Sequence, residues 1–243
     1  MWLLEEKKTA VECAKRIGNV IMEHYARSHT LTWKEKTNFK IEVDDICDAL
    51  AREIIQKAFP HDSIFSEELA PKIGNTDRTW VIDPLDGTIP FTLGTCDHFS
   101  VCVAFANGKK PVLGIIYAPK RDELYVAVEG FGATCNGANI FVAPPSPICS
   151  MTLGFYTSRH VRFCQSFEAL QKLSCPDGIT STLSTACASV PLCLTASGKI
   201  HGFLAYELQP WDMAAASIII REAGGKVTTV DGKEWELGDT SIF

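Results

Sequence analysis

A nine-residue block in the first half of the chain constrains the fold most, because it ends a strongly apolar segment on two carboxylates. Residues 80–88 read Trp-Val-Ile-Asp-Pro-Leu-Asp-Gly-Thr, so Asp83 and Asp86 stand three residues apart before Gly87 and Thr88. Hard divalent cations prefer clustered carboxylate and carbonyl oxygens, and the bare backbone of a glycine lets an anion approach closely. An uncompensated carboxylate beside apolar side chains is costly, and a bound cation removes that cost. The block therefore predicts a strand that ends in a turn built to hold metal ions against a phosphate.

The composition favours one globular unit without the charge of a nucleic-acid binder. The chain has 243 residues, 46% of them hydrophobic, which suits a single domain over residues 1–243. Its two halves, about 1–145 and 146–243, are predicted to join at the proline-rich stretch 144–147. The formal net charge of −6 argues against a non-specific nucleic-acid binder, which usually carries a basic patch. No nucleic-acid partner is therefore expected, and an anionic substrate would need local help from metal.

Cysteine spacing and the lack of long apolar runs bear on the compartment. The ten cysteines include no Cys-x-x-Cys pair, and several stand in apolar stretches. This pattern fits buried, reduced thiols better than a disulfide framework or a zinc site. The N-terminus lacks a positive leader, and no run reaches about 18 consecutive apolar residues. The sequence predicts a soluble, cytoplasmic protein with no membrane contact.

Hydrophobic periodicity predicts helices first, then strands, then an alternation of both. The second helix is predicted to begin near Asp44, after a loop over 30–40, with Ile46 among its inward-facing residues. Alternating strands and helices after residue 147 indicate an α/β second half. In chain order the predicted segments are helices over about 3–27 and from near Asp44, strands at 63–66, 98–106, 112–118 and 123–128, helices near 186–196 and 213–223, and strands near 200–206 and 226–230.

Two further segments place carboxylates where they can join the first two. Glu67, with Glu68 beside it, follows the predicted strand 63–66, and Asp212 stands at the start of a predicted helix. Each has an ordinary explanation, since paired glutamates are usually a solvated surface and an aspartate at a helix start is usually a cap. Their joint position, beside strand ends and a helix start, favours a common site.

Taken together, these blocks resemble the inositol monophosphatase family of magnesium-dependent, lithium-sensitive phosphatases. The resemblance spans nearly the whole chain, and the order and spacing of its blocks make it specific. It implies an α+β or α/β fold, the layered α-β-α-β-α sandwich of the inositol monophosphatase and sugar phosphatase type. The blocks that carry it are Ser66-Glu67-Glu68, Trp80 to Thr88, Phe131-Gly132-Ala133 with Asn136-Gly137, Trp211-Asp212-Met213-Ala214-Ala215, and Glu222-Ala223-Gly224-Gly225.

The resemblance also implies a magnesium centre and a phosphate site. Backbone amides around Gly87 and Thr88 would hold the phosphate beside the ions. The implied ligands of two or three Mg²⁺ ions are Glu67, Asp83, Asp86, Asp212 and the main-chain carbonyl of Leu85. The implied substrate-binding residues are Glu67, Leu85, Asp86, Gly87, Thr88 and Asp212.

The resemblance leaves the general base open between two candidates. A water activated by metal would be the nucleophile, oriented or deprotonated by Glu67 or by Thr88 together with Asp44. The ordinary explanation of Thr88 is a turn hydroxyl bonded to its own backbone, and that of Asp44 is a helix cap. Phosphate monoesters hydrolyse extremely slowly without catalysis, so either mechanism needs strong charge stabilisation.

Several positions depart from the family pattern close to the implied substrate. Residues 38–41 replace the usual Asp-x-Val-Thr, which predicts an altered third metal site. Ala205 stands where inositol-phosphate enzymes place a glutamate that binds sugar hydroxyls, which predicts a missing polyol contact. Ala186-Cys187-Ala188 replaces a Gly-Thr-Ala substrate segment. The resemblance therefore retains the metal chemistry more fully than the inositol specificity.

The sequence thus predicts an enzyme, a Mg²⁺-dependent phosphoric monoester hydrolase acting on a small phosphorylated metabolite similar to inositol monophosphate. Histidinol phosphate, fructose 1,6-bisphosphate and adenosine 3′,5′-bisphosphate are alternative substrates. A non-catalytic binding or regulatory protein of the same fold is the alternative from another class. Retention of Asp83, Asp86 and Asp212 argues against it, because buried like charges repel one another without metal.

The resemblance bears on assembly as well. Relatives are commonly dimers, so a homodimer is one expectation for this chain. The family continues into a terminal helix beyond the position of Phe243, so the chain is expected either to be truncated or to dispense with that helix.

Overall fold

The helices and strands are defined by a computed structural model that describes residues 3–34, 39–156, 163–174 and 176–243, without the side chains of 163–166. The helices of this part of the chain are α1 (Leu4–His24), α2 (Glu42–Ala58), α3 (Thr88–Leu93), α4 (Phe163–Leu173), α5 (Ser189–Ala196) and α6 (Pro210–Glu222), with a short 3₁₀ turn at Ile148–Ser150. Its strands are β1 (Thr32–Trp33), β2 (Phe39–Lys40), β3 (Ser63–Ser66), β4 (Arg78–Asp86), β5 (Ser100–Asn107), β6 (Lys110–Ala118), β7 (Glu123–Val128), β8 (Ala133–Cys135), β9 (Ala138–Asn139), β10 (Thr152–Tyr156), β11 (Ser181–Leu183) and β12 (Gly202–Ala205).

The larger sheet holds seven strands in the order β3-β4-β5-β6-β7-β8-β9. Strands β3 and β4 are parallel, and the other neighbours are antiparallel. Successive side chains of a strand point to opposite faces, and in β5 both sets are buried. Val101 and Val103 pack into one hydrophobic core, while Cys102 and Ala104 pack into another. The sheet is therefore a central layer that needs a helical cover on each face.

Helices supply that cover on both faces of the large sheet. Helices α1 and α2 pack together on one face, and α6 crosses the other with α5 beside it. The packing of α6 is close because small side chains meet a glycine. A Cβ atom built on Gly114 of β6 would lie 2.4 Å from the carbonyl oxygen of Ala215 in α6. Glycine at residue 114 therefore sets the distance between the helix and the sheet.

A second, smaller sheet completes the layers. Strand β10 lies between β11 and β12 and is parallel to both. Helix α5 packs against β10 and β12 as well as against α6, so this helix pair separates the two sheets. The sequence of helix pair, large sheet, helix pair and small sheet confirms the predicted layered mixed fold. The predicted division of the chain into one domain with two halves stays a prediction.

Three local predictions differ from the structure. Helix α2 begins at Glu42 rather than near residue 44, and its Ile46 is 45% exposed instead of facing the core. Residues 30–40 were predicted as a loop, but they include the antiparallel pair β1 and β2. Residues 35–38 of this stretch lie outside the described residues. The predicted strand 226–230 is reduced to an isolated antiparallel bridge between Thr228 and Glu234, and the backbone of Thr228 also exchanges two hydrogen bonds with Phe243.

The state of the cysteines and the apolar character of the helices can be compared with the sequence. Eight cysteines are free thiols in the structure, and Cys164 and Cys175 fall outside its side-chain description. Within the described ranges, no helix combines the length and apolar character needed to cross a membrane.

The close packing at residue 114 leads to a stability prediction. We expect Gly114→Ala to lower the free energy of unfolding by about 1–3 kcal/mol, because the new methyl group overlaps the backbone of α6. Urea unfolding followed by circular dichroism measures the change. Ala138→Val on the exposed strand β9 is the control, since it enlarges a side chain without a buried neighbour. Equal stability of Gly114→Ala and the unmutated chain would contradict this account of the layer spacing.

Candidate metal centre

The two aspartates of the apolar block face one site because the strand that carries them is irregular. Residues three apart on a regular strand point to opposite faces of the sheet. Asp83 pairs with Cys102 of β5, and Asp86 pairs with Ser100, so three steps along β4 match two steps along β5. The extra residue is a β-bulge, which restores both carboxylates to the same side. The bulge therefore converts the Asp-Pro-Leu-Asp sequence into a pair of converging ligands.

The third aspartate comes from the start of α6. Asp212 lies in the first turn, and its Oδ2 accepts a hydrogen bond of 2.8 Å from the amide of Gln209. Pro210 occupies the first helical turn, where its missing N–H costs nothing. The predicted role of helix cap is thus real, but the cap also brings this carboxylate to the end of β4.

The carboxylates of Asp83, Asp86 and Asp212 form a compact acidic cluster. One oxygen from each lies within 4.8 Å of the other two. Burial raises the pKa of Asp83 well above its usual range, and the charges of Glu67, Asp86 and Asp212 raise it further. Burial and the charges of Asp86 and Glu67 raise the pKa of Asp212 in the same way. Mutual repulsion is therefore a defining property of this site.

This donor set fits a divalent cation. Among the residues whose side chains are described, no lysine, arginine or histidine forms an ion pair with any of the three aspartates. Buried carboxylates are normally paired with a cation or coordinate a metal. Carboxylate oxygens are the ligands that Mg²⁺ prefers, and one or two carboxylates are enough for a typical protein site. The cluster therefore has the oxygen donors and the charge deficit of a site that could hold a divalent cation.

Leu85, Gly87 and Thr88 shape the turn that follows the bulge. The amide of Leu85 donates to Oδ1 of Asp83 over 3.0 Å, and its carbonyl accepts from Oγ1 of Thr88 over 3.2 Å. Gly87 has φ +89°, and a Cβ atom there would lie 2.6 Å from the carbonyl oxygen of His98. Only glycine fits this position, because the backbone of residues 98–99 packs against it where α3 begins. The Thr88 hydroxyl thus makes the hydrogen bond to its own turn that its ordinary explanation predicted.

Glu67 lies near the aspartates but outside their 4.8 Å cluster. Its charge still reaches them, because it contributes to the raised pKa of Asp83. Burial raises the pKa of Glu67 itself to about 7, although the ammonium of Lys34 opposes the shift. Lys34 lies 3.1 Å from Oε1 of Glu67 and also forms an ion pair with Glu68. The structure thus gives Glu67 a protein cation that the three aspartates lack.

Asp44 occupies a buried acidic neighbourhood beside the two glutamates. Its Oδ2 accepts a 2.7 Å hydrogen bond from the amide of Ile41, which is the predicted helix-cap contact. Burial raises the pKa of Asp44 to about 8, with further contributions from Glu68 and Glu67. No hydrogen bond between Asp44 and Thr88 is found in the described part of the chain. The catalytic roles of these two residues stay predictions.

Two substrate-side expectations change once the structure is known. Ala205, expected at a lost polyol contact, is completely buried, and its amide and carbonyl pair with Ile242. Its side chain therefore faces packed protein, and a carboxylate placed there would be buried. Cys187, in the replaced Gly-Thr-Ala segment, lies against Asp86 with its Sγ 3.1 Å from Oδ2. This segment is therefore part of the support of the metal centre.

Sequence reasoning missed three residues of the site. Lys34 gave no signal, because it stands in a stretch that was predicted as a loop. Ser189, which donates to Asp86, lies directly after the replaced segment and could have been found by extending it one residue. Glu68 was expected to lie at the surface or to support the ligands from behind, and its side chain is only 3% exposed. Glu68 is therefore a buried member of the acidic neighbourhood.

The fold and the site together define a class of protein. A mixed sheet between helical layers carries an acidic metal-type cluster where the end of a strand meets the start of a helix. That arrangement is typical of layered α/β proteins that bind small anionic ligands through metal.

Comparisons with known proteins identify the family, since the model described as the inositol monophosphatase family matches residues 2–243. Nus factor SuhB of Haemophilus influenzae is 34% identical over 239 residues, which cover 96% of this chain and 88% of that protein. The Thermotoga maritima protein named fructose-1,6-bisphosphatase/inositol-1-monophosphatase is 32% identical over 230 residues, which cover 93% and 85%. The solved structure of extragenic suppressor protein suhB from Bartonella henselae superposes with a TM-score of 0.91 at 26% identity, covering 97% and 91%. The chain belongs to the inositol monophosphatase family.

The ion pair of Lys34 leads to a prediction about stability and metal. We expect Lys34→Gln to lower the free energy of unfolding in chelator by about 1–3 kcal/mol, because Glu67 loses its ion pair and Glu68 keeps only the longer one with Lys40 at 3.9 Å. Added Mg²⁺ should then raise the melting temperature of the variant more than that of the unmutated chain, since a bound ion replaces the lost charge. Differential scanning calorimetry with chelator and with Mg²⁺ measures both effects.

Lys110→Gln is the matched control for this experiment. Lys110 forms an ion pair with Glu129 but is 65% exposed, so its removal should cost little. Identical melting of Lys34→Gln and Lys110→Gln in chelator would show that the Lys34 pair does not stabilise the acidic neighbourhood.

Proposed function

We propose that this chain is a Mg²⁺-dependent phosphomonoesterase that hydrolyses a small phosphorylated metabolite. The observation that carries the proposal is the cluster of three aspartate oxygens within 4.8 Å, held in a partly buried site without an ion-pair partner from the described residues. Membership of the inositol monophosphatase family supports the same reading. A binding site with this charge deficit recognises a cation first and an anionic substrate through it.

The proposed ligands of Mg²⁺ are those expected from the resemblance. When bound, Mg²⁺ neutralises phosphate oxygens, stabilises the leaving alkoxide and makes water a better nucleophile. The carboxylates at the bulge and at the start of α6 hold the cation, and Glu67 faces the same region from the end of β3. The backbone amides around Gly87 and Thr88 are the proposed donors to the phosphate, as the resemblance implies. The proposed ligand set is Glu67, Asp83, the Leu85 carbonyl, Asp86 and Asp212.

Glu67 is the general base that we favour over the pair of Thr88 and Asp44. The Thr88 hydroxyl donates to Leu85 and the Asp44 carboxylate accepts from Ile41, so each already has a structural task. The charge of Glu67 contributes to the raised pKa of Asp83, so Glu67 is close to the region where a bound cation would activate water. Lys34 beside it is positioned to stabilise the charged form of this carboxylate.

The proposed substrate class is a soluble monoester whose leaving group is a small alcohol. Inositol monophosphate and fructose 1,6-bisphosphate have support from the name of the Thermotoga maritima relative. Histidinol phosphate and adenosine 3′,5′-bisphosphate are the other candidate substrates, because the altered 186–188 segment excludes neither of them. Inhibition by lithium and a cytoplasmic location belong to the same proposal.

A second candidate function comes from the names of other relatives. Several curated relatives are named Nus factor SuhB, among them proteins that are 33% and 34% identical to this chain. A binding or regulatory protein of the same fold would need the surface of the molecule rather than turnover at the aspartates. A host strain whose only copy carries Asp86→Asn would then grow like the parent, whereas a phosphatase requirement predicts the phenotype of the deletion.

A substrate panel tests the proposed activity directly. Phosphate release from the four monoesters is measured with Mg²⁺, with chelator, and with Mg²⁺ plus lithium. We expect release that needs Mg²⁺ and falls with lithium, and the rates rank the substrates. No release from any compound, by protein that circular dichroism shows to be folded, would refute the phosphatase proposal in favour of the binding role.

Asp86→Asn tests the metal centre within that assay. Four donors surround Oδ2 of Asp86. The side-chain amide that the substitution introduces must therefore turn its oxygen to these donors and present its NH₂ group to the cation. We expect kcat to fall at least about 100-fold, equivalent to about 2.7 kcal/mol of lost stabilisation. Asp177→Asn on the exposed surface is the control and should keep full activity. Near-normal turnover of Asp86→Asn would remove the cluster from the mechanism.

A further inference from the structure

One oxygen of Asp86 is surrounded by donors while the other is nearly free. Oδ2 accepts hydrogen bonds from Sγ of Cys187 at 3.1 Å, from the amides of Ala188 at 3.0 Å and Ser189 at 2.7 Å, and from the hydroxyl of Ser189. Oδ1 has a single longer contact, 3.3 Å from the Ala188 amide. Oδ2 therefore faces four donors of the protein, the thiol of Cys187 among them, whereas Oδ1 faces one. Oδ1 is consequently the oxygen left to contact a cation.

The donors that hold Oδ2 are themselves fixed. The Ser189 hydroxyl lies 2.7 Å from the hydroxyl of Ser100 in β5, and Cys187 Sγ lies 3.5 Å from the same Ser189 oxygen. Ser100 pairs with Asp86 across the bulge, so this contact joins the start of α5 to the strand that carries the ligand. Cys187, Ser189 and Ser100 are all buried. The orientation of the carboxylate is thus set by a closed network with no access to water.

We propose that Cys187 is a positioning residue of the metal centre, whose thiol holds Oδ2 of Asp86 so that Oδ1 stays directed at the cation. The inference rests on the proposed function, because it needs a metal at the aspartates. Groups that hydrogen-bond a ligand from behind fix its orientation and tune its affinity for metal. A thiol is a weaker donor than a hydroxyl, so a hydroxyl in the same place should hold the carboxylate at least as well.

The proposal separates the role of Cys187 from simple packing. A residue that only fills space tolerates loss of its donor if its volume is kept. A positioning residue does not, because the carboxylate then gains freedom to turn Oδ1 away from the cation. Cys187→Ser keeps a donor, Cys187→Val removes the donor without leaving a cavity, and Cys187→Ala removes the donor and leaves a cavity.

Direct binding of Mn²⁺, followed by electron paramagnetic resonance without substrate, tests this role independently of turnover. We expect Cys187→Ala and Cys187→Val to bind Mn²⁺ about 10-fold more weakly than the unmutated chain, and Cys187→Ser to stay within about 3-fold. Cys13→Ala is the matched control, since Cys13 is an equally buried thiol on the inner face of α1 that does not touch the cluster. In the phosphatase assay, saturating Mn²⁺ should restore most of the lost kcat of Cys187→Val while KM for the monoester stays unchanged.

The outcomes distinguish this inference from the proposed function. Unchanged Mn²⁺ affinity in Cys187→Val, or equal loss in Cys187→Ser and Cys187→Val, would overturn the positioning role while leaving the metal centre intact. Absence of Mn²⁺ binding by the unmutated chain would overturn both, and Asp86→Asn serves as the reference for a lost ligand. If the cavity left by Cys187→Ala unfolds the chain, the comparison of the serine and valine variants still decides the question.

Discussion

Mutual repulsion among buried carboxylates is the constraint on which the rest of this structure depends. Asp83, Asp86 and Asp212 come from two distant parts of the chain, and their oxygens meet within 4.8 Å. Folding alone gives them no protein cation among the described side chains, so the energy of the site depends on what else enters it. The β-bulge and the first turn of α6 are the local irregularities that make this convergence possible.

The fold offsets part of that repulsion with directed hydrogen bonds. Backbone amides reach each aspartate, from Leu85 to Asp83, from Ala188 to Asp86 and from Gln209 to Asp212. Hydrogen bonds to a carboxylate favour its charged form, which is the form that binds a cation. The same bonds fix which oxygens point outward, so they act on geometry and charge together. Close packing of α6 on the large sheet keeps these contacts in register.

A second acidic neighbourhood lies beside the first and is handled differently. Glu67 and Glu68 meet the ammonium of Lys34, whose own pKa burial lowers but these two carboxylates raise more strongly. One group of acids thus has a cation supplied by the chain, and the other has the charge deficit of a metal site. Their proximity explains why the charge of Glu67 contributes to the raised pKa of Asp83 although Glu67 lies outside the cluster.

The sequence by itself determined which carboxylates follow an apolar strand or begin a helix, because the spacing of hydrophobic residues is a local signal. Its resemblance to a known family implied the layered fold. The sequence did not determine the bulge, since nothing in Asp-Pro-Leu-Asp says how β5 pairs with it. It also placed Ala205 at the substrate and Ile46 in the core, whereas neighbouring segments decide both positions. The partners Lys34 and Ser189 were decided only by tertiary structure, because a hydrogen bond between residues a hundred positions apart, such as that from Ser189 to Asp86, depends on how whole layers pack.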